Sequence, residues 1–267
     1  MFKTKDEITS QTNEDTYEFP SVFETTQGVQ RAQSVEMIDE GLRSHMIRVF
    51  NYMGLGLCVT ALFAYLAANV PFFFNLMYSV DVQAQTASLS TLGYILMFAP
   101  LIMIFAFGAV IQRGSVFATQ AMFWAFSAIM GLSLSSILLT YTYSSVARVF
   151  LITAATFGTM SLIGYTTKKD LTSVGSFLRM GVWGLIIASI VNLFMHSTPL
   201  MYAISYLSVA IFTGLTAYDV QNIKNMYYHI SSSGEFAKKA AVAGALSLYI
   251  DFINIFVSLM NIMGNRR

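Results

Sequence analysis

The chain has 267 residues, of which 55% are apolar and only 11% are charged; an ordinary soluble domain carries roughly 25% charged residues. Nine of its 14 acidic residues lie in the first 45 positions, so the remainder has too few charges to hydrate a soluble surface. The composition therefore predicts that the lipid bilayer is the main partner. The net charge of +1, without a basic run, also argues against nucleic acid as a partner.

Residues 1–44 are polar and rich in Thr, Glu, Gln and Ser. They lack the basic and then apolar regions of a signal peptide, so we expect a mostly disordered cytoplasmic tail. An amphipathic helix is predicted to begin near Ser34, because apolar residues then recur at helical spacing at Val35, Ile38, Leu42 and Met46. Residues 45–267 are predicted to form one transmembrane domain.

Seven apolar segments follow the tail, and each is close to the roughly 20 residues that cross a bilayer as a helix. Helices and closed barrels are the two structures that satisfy their backbone in lipid, and these segments are too long and continuous for barrel strands. The predicted fold class is therefore an all-α membrane protein, a bundle of seven transmembrane helices. The segments are 47–69, 91–111, 116–140, 146–166, 177–196, 199–222 and 240–262.

Alternate connections are basic, which predicts the orientation of the bundle. Lys and Arg occur in 112–115, 167–179 and 223–239, whereas 70–90 and 197–198 contain neither. Basic loops face the cytoplasm, so the N-terminus is expected there too. Seven spans would place Arg266 and Arg267 on the opposite side; the alternative is a bent last segment that returns to the cytoplasmic side.

Two acidic residues lie inside apolar segments, where ionisable groups are costly and usually face a cavity or a partner. Asp219 is near the cytoplasmic end of the sixth segment, so a solvated, inert interfacial acid is an alternative interpretation. Asp251 lies near the middle of the seventh, on a stripe of small and polar residues at helical spacing, which favours an interior position. The stripe comprises Gly244, Ser247, Asp251, Asn254, Ser258 and Asn261.

The common enzyme motifs are missing from the sequence. It contains no HExxH, GxSxG, Walker A or CxxC motif, so we expect neither an enzyme nor a bound cofactor. An intramembrane aspartyl protease stays a minor alternative, because Tyr218-Asp219 supplies only half of the paired YD and GxGD motifs that such a protease resembles.

Two segments carry a resemblance to the Bax inhibitor-1 (TMBIM) superfamily, in its bacterial YccA/YetJ-like branch. They are TAYDVQNIK at 216–224 and LSLYIDFINIFVSLMNIMG at 246–264; GLSLSSI and KKDLTSVGSFL give weaker support. The resemblance implies six helices around a central seventh, in the bacterial inner membrane. It implies a pH-sensitive calcium leak, with calcium as the transported ion, and a sensor formed by Asp219 and Asp251. It also implies that Arg113, after the second span, bridges to the pair.

A physical mechanism follows for such a pair. Two carboxylates within hydrogen-bond reach share a proton and titrate as a unit. The shared proton or the Arg113 bridge would close the path, and full ionisation would open it and attract Ca²⁺ to Asp219 and Asp251 weakly and transiently. Ser247, Asn254 and Ser258 would supply neutral oxygens along the route.

Other functions fit the same sequence. Proteins of this branch also resemble substrates or modulators of a membrane-bound AAA protease, which the polar tail would suit. A purely structural membrane protein is a third reading, although it leaves the cost of Asp251 unexplained. Proton, Ca²⁺ and other cations all fit two carboxylates, and the small-residue helix faces fit an oligomer as well as internal packing.

Overall fold

A computed structural model describes residues 22–81, 86–229 and 234–267. The elements in chain order are α1 (Val22–Asn69), α2 (Pro71–Met77), β1 (Tyr78–Asp81), β2 (Thr86–Leu89), α3 (Thr91–Arg113), α4 (Val116–Thr140), α5 (Tyr143–Thr166), α6 (Thr172–Met195), α7 (Thr198–His229) and α8 (Glu235–Met263). Within these residues, seven helices are long and apolar enough to cross a membrane. The predicted all-α membrane fold is confirmed.

Helix α8, the seventh span, lies at the centre of the bundle. In its most apolar window 72% of the residues are buried, against 33% or less in the other six spans. It packs against α4, α5 and α7. Its Tyr249 hydroxyl lies 2.6 Å from Oγ1 of Thr60 on α1, which in turn donates to the backbone oxygen of Ser127 on α4. The central position of the last helix is therefore confirmed.

Helix α1 begins at Val22, upstream of the predicted start near Ser34 and within the tail that was expected to be disordered. The chain contains no proline between Pro20 and Pro71, so nothing in that stretch interrupts helical hydrogen bonding. The expectation of disorder for residues 1–21 lies outside the described residues.

The connection 70–90 contains α2 and an antiparallel hairpin of β1 and β2. Tyr78 anchors this hairpin to α4, because its hydroxyl lies 3.0 Å from Oγ of Ser135. Burial raises the pKa of the Tyr78 phenol above its usual range. The strands are only four residues long, which is too short for a clear alternating pattern.

The structure places the C-terminal residues Arg266 and Arg267 relative to the bundle. Helix α8 is continuous to Met263, so the alternative of a bent, returning segment is wrong. The last residues dock on the α4–α5 connection: the amide of Arg267 donates to the carbonyl of Thr140, and that of Thr142 to the carbonyl of Asn265. The Arg267 guanidinium also lies 4.6 Å above the ring of Tyr143. These contacts hold the terminus at the end of the bundle opposite to the basic loops.

Candidate functional site: an acid pair between the last two spans

Asp251 is buried in the middle of the membrane domain. Only 4% of the residue is exposed, and within the described part of the chain no group donates a hydrogen bond to its Oδ2. A buried polar atom without a partner costs about 1–3 kcal/mol, and an unpaired charge costs far more. An acid that is kept at this cost is a strong candidate for function.

Asp219 reaches the same region from α7. It follows the buried Tyr218 and is itself only partly exposed. Helices α7 and α8 pack along each other, and the two carboxylates lie within electrostatic reach. The structure thus brings together the two acids that the sequence singled out, and we call them the acid pair.

Arg179 on α6 supplies a positive charge beside the acid pair. Its guanidinium stacks 4.7 Å above the ring of Tyr218 and donates a hydrogen bond to the Tyr218 hydroxyl. Its charge also acts on Asp219. Arg179 belongs to the basic stretch 167–179 that predicted the orientation, and it also lies within the apolar segment 177–196. The rule that ionisable residues inside spans are functional candidates would have found it.

Arg113, which the resemblance placed at the pair, ends α3 and has an exposed side chain. Helix α3 packs mainly against α4, whereas the acids lie on α7 and α8. Among the described cations, Arg179 is the one whose charge acts on Asp219.

The three neutral residues proposed for the route differ in their surroundings. Ser258 is buried, and Asn254 donates its Nδ2 hydrogen to the carbonyl of Ile250 at 2.8 Å. Ser247 is exposed, although its neighbours Leu246 and Leu248 are buried. Ser247 lies one helical turn before Asp251, so the central helix is exposed at that position, between Asp251 and its basic end.

Gln221 on α7 fixes the connection between α5 and α6. Its side-chain oxygen accepts from the Leu171 amide at 2.8 Å, and its Nε2 donates to the carbonyl of Lys169 at 2.7 Å. Lys224 adds a third link, because its Nζ donates to the carbonyl of Tyr165 at 2.9 Å. Gln221 therefore positions the start of α6, the helix that carries Arg179, and Lys224 holds the end of α5.

Replacing Gln221 with alanine should loosen this connection. Two backbone groups lose their partners, and we expect a loss of about 1 kcal/mol in stability because the loop is partly solvated. Hydrogen exchange at the Leu171 amide should accelerate, with Asn222→Ala, an exposed neighbour, as the matched control. Equal exchange rates in the two variants would remove Gln221 from this role.

Asp170, in the same connection, is a third acid near the basic end and differs from the pair. Its Oδ1 accepts hydrogen bonds from the amide and the hydroxyl of Thr172, at 2.9 and 2.6 Å. These bonds hold the pKa of the Asp170 carboxyl below its usual value, so it stays ionised through the physiological range. Asp170 is therefore a suitable control for the titration of the pair.

Comparison with known proteins shows which family this chain resembles. The model of the family described as "Inhibitor of apoptosis-promoting Bax1" matches residues 42–267. The inner membrane protein YbhL of Escherichia coli strain K12 is 41% identical over 89% of this chain and 98% of its own length.

Two further relatives extend the likeness across distant bacteria. A protein of Rickettsia prowazekii is 44% identical over 86% of this chain and 92% of its own. A membrane protein of Streptococcus pyogenes serotype M1 is 35% identical over 85% of this chain and 94% of its own. The family match covers both acids and Arg179, and the chain belongs to the Bax inhibitor-1 family of multi-span membrane proteins.

Proposed function

We propose that this protein is a pH-sensitive calcium leak of the bacterial inner membrane, with its N-terminus in the cytoplasm. The observation that carries the proposal is the buried Asp251, whose Oδ2 finds no donor among the described residues, within electrostatic reach of Asp219. Hydrogen bonding does not compensate the burial of this acid, so a role in titration or in ion binding is the explanation we favour.

The acid pair would act as a one-proton switch. Two carboxylates whose charges act on each other do not both ionise cheaply, so they would share a proton at low pH and hold α7 and α8 in the closed arrangement. Loss of that proton leaves two negative charges that repel each other and attract a hard cation. Within the described residues, no cluster of three or more His, Cys, Asp or Glu side chains is present. Calcium would therefore be held weakly, which suits passage.

The cation that acts on the acid pair would be Arg179 rather than Arg113. Arg179 touches Tyr218 and acts on Asp219, whereas Arg113 lies exposed at the end of α3. We expect Arg179→Gln to move the rise of calcium flux to higher pH, because the arginine favours the ionised form of the neighbouring acid, and Arg113→Gln to leave the pH profile near wild type. If Arg113→Gln changed the calcium flux and Arg179→Gln did not, Arg113 would be the cation that bridges to the pair, as the family resemblance implies.

Reconstitution tests the function itself. Purified protein in liposomes that contain a calcium-sensitive dye should admit Ca²⁺ faster than empty liposomes, and the rate should rise with pH. Flux equal to that of empty liposomes at every pH would overturn the proposal. That outcome would favour the alternative role, as a substrate or modulator of a membrane-bound AAA protease.

A further inference from the structure

A polar cavity opens at the end of the bundle away from the basic loops. It has a volume of about 430 Å³ and lies between α6, α7 and α8. Its polar lining groups include Ser189, Asn192, His196, Ser205 and Asn261, and we call it the polar vestibule. Asn261 also belongs to the stripe of α8 that carries Asp251, so the vestibule lies on the same side of the central helix as the acid.

An apolar layer separates the vestibule from the acid pair. Leu185 of α6, Phe212 of α7 and Ile255 of α8 are buried and belong to one hydrophobic cluster. Phe212 is seven residues from both Ser205 and Asp219, which places it about 10 Å along the helix from each. Ile255 is four residues beyond Asp251, or about 6 Å. The layer therefore lies between the two polar regions.

The side of the layer that faces the basic end carries the acid pair and two residues that are not fully buried. Ser247 is exposed and lies one helical turn from Asp251, and Asp219 is partly exposed. The same three helices thus present, in order, a polar vestibule, an apolar layer and an acid pair. Polar regions on either side of a dry constriction are typical of a path that closes by dewetting.

We propose that the route for cations runs between α6, α7 and α8, with the polar vestibule as its outer mouth and the Phe212 layer as its gate. This inference rests on the proposed leak function. The vestibule offers hydroxyl and amide oxygens, which suit a hydrated cation in transit. Among its lining residues none is acidic, so the vestibule would admit cations without holding them tightly.

Removal of the large side chain at the gate tests the route through flux. Phe212→Ala should raise calcium flux several-fold at a fixed low pH, where the wild type is slow, because a wider layer holds water. Phe105→Ala is the matched control, since Phe105 on α3 is 77% exposed and lies on a helix outside the route. Unchanged flux in a folded Phe212→Ala protein would contradict the assignment of the Phe212 layer as the gate.

Chemical modification of the vestibule tests the route without disturbing the gate. In a Cys58→Ser background, Ser189→Cys places a thiol on the vestibule wall, and Ser144→Cys places an exposed thiol at the same end on α5. A membrane-impermeant, positively charged methanethiosulfonate should label both variants and should block flux in Ser189→Cys alone.

The labelling experiment distinguishes a failure of the proposed route from a failure of the proposed leak function. If the Cys58→Ser background carries calcium flux and labelled Ser189→Cys carries the same flux, the route is elsewhere and the leak function stands. If the background carries no flux although Ser189→Cys is labelled, the leak function fails, and the inference that rests on it fails with it.

Discussion

Replacement of Asp251 with asparagine is expected to flatten the pH dependence of calcium flux. Asparagine has the shape of aspartic acid but cannot ionise, so the pair loses its shared proton. A one-proton switch changes the population of the open form by at most about tenfold per pH unit. The Asp251→Asn protein should lose this slope across the range in which the wild type responds, as measured by dye-reported flux in liposomes at a series of pH values.

Asp219→Asn should also flatten the profile, because a shared proton requires both carboxylates and the pair titrates as a unit. Asp170→Asn is the matched control: it removes an acid near the same end whose pKa is lowered by hydrogen bonds from Thr172. Its pH profile should follow the wild type. If either variant of the pair kept the full slope, the acids would not act as one switch.

Gly164→Ala is expected to cause a large loss of stability. A Cβ atom at Gly164 on α5 would overlap the backbone carbonyl of Ala217 on α7, and a backbone atom cannot turn away as a side chain does. Overpacking of this kind costs about 1–3 kcal/mol. The midpoint of thermal unfolding in detergent should fall clearly below that of the wild type.

Gly158 provides a control on the same helix. A Cβ atom there meets nothing within 4 Å, so Gly158→Ala should leave the unfolding midpoint unchanged or slightly raised, because alanine favours helix. Ala217 lies two residues from Asp219, so a shift of α7 in Gly164→Ala should also disturb the pH profile of flux. Equal midpoints for the two variants would show that α5 and α7 are not packed as closely as described.

Hydropathy was sufficient to predict the seven spans, because each one is a long apolar segment bounded by polar residues. Their ends were less predictable. Helix α7 continues to His229 and α8 begins at Glu235, beyond the apolar limits at 222 and 240. Helices that project into water keep their hydrogen bonds although their residues are polar, so hydropathy alone underestimates their length.

The site was predictable in its parts but not in its assembly. Asp251 stood out because a charge within an apolar segment is costly, and the structure buries it. Its proximity to Asp219 depends on how α7 packs on α8, which the spacing within one helix does not determine. Arg179 was missed because it lies at the edge of its span and resembles an ordinary loop cation. The Gln221 contacts join residues about 50 positions apart in sequence.

The central claim is that Asp219 and Asp251 share one proton whose loss opens the path, and infrared difference spectroscopy across a pH titration tests it most directly. A protonated carboxyl group has its own C=O stretching band, distinct from that of a carboxylate. We predict such a band at low pH that disappears over the pH range in which calcium flux rises, and that is absent from Asp251→Asn and altered in Asp219→Asn. A band that stays the same in both variants, or that titrates outside the range of the flux change, would contradict the shared proton.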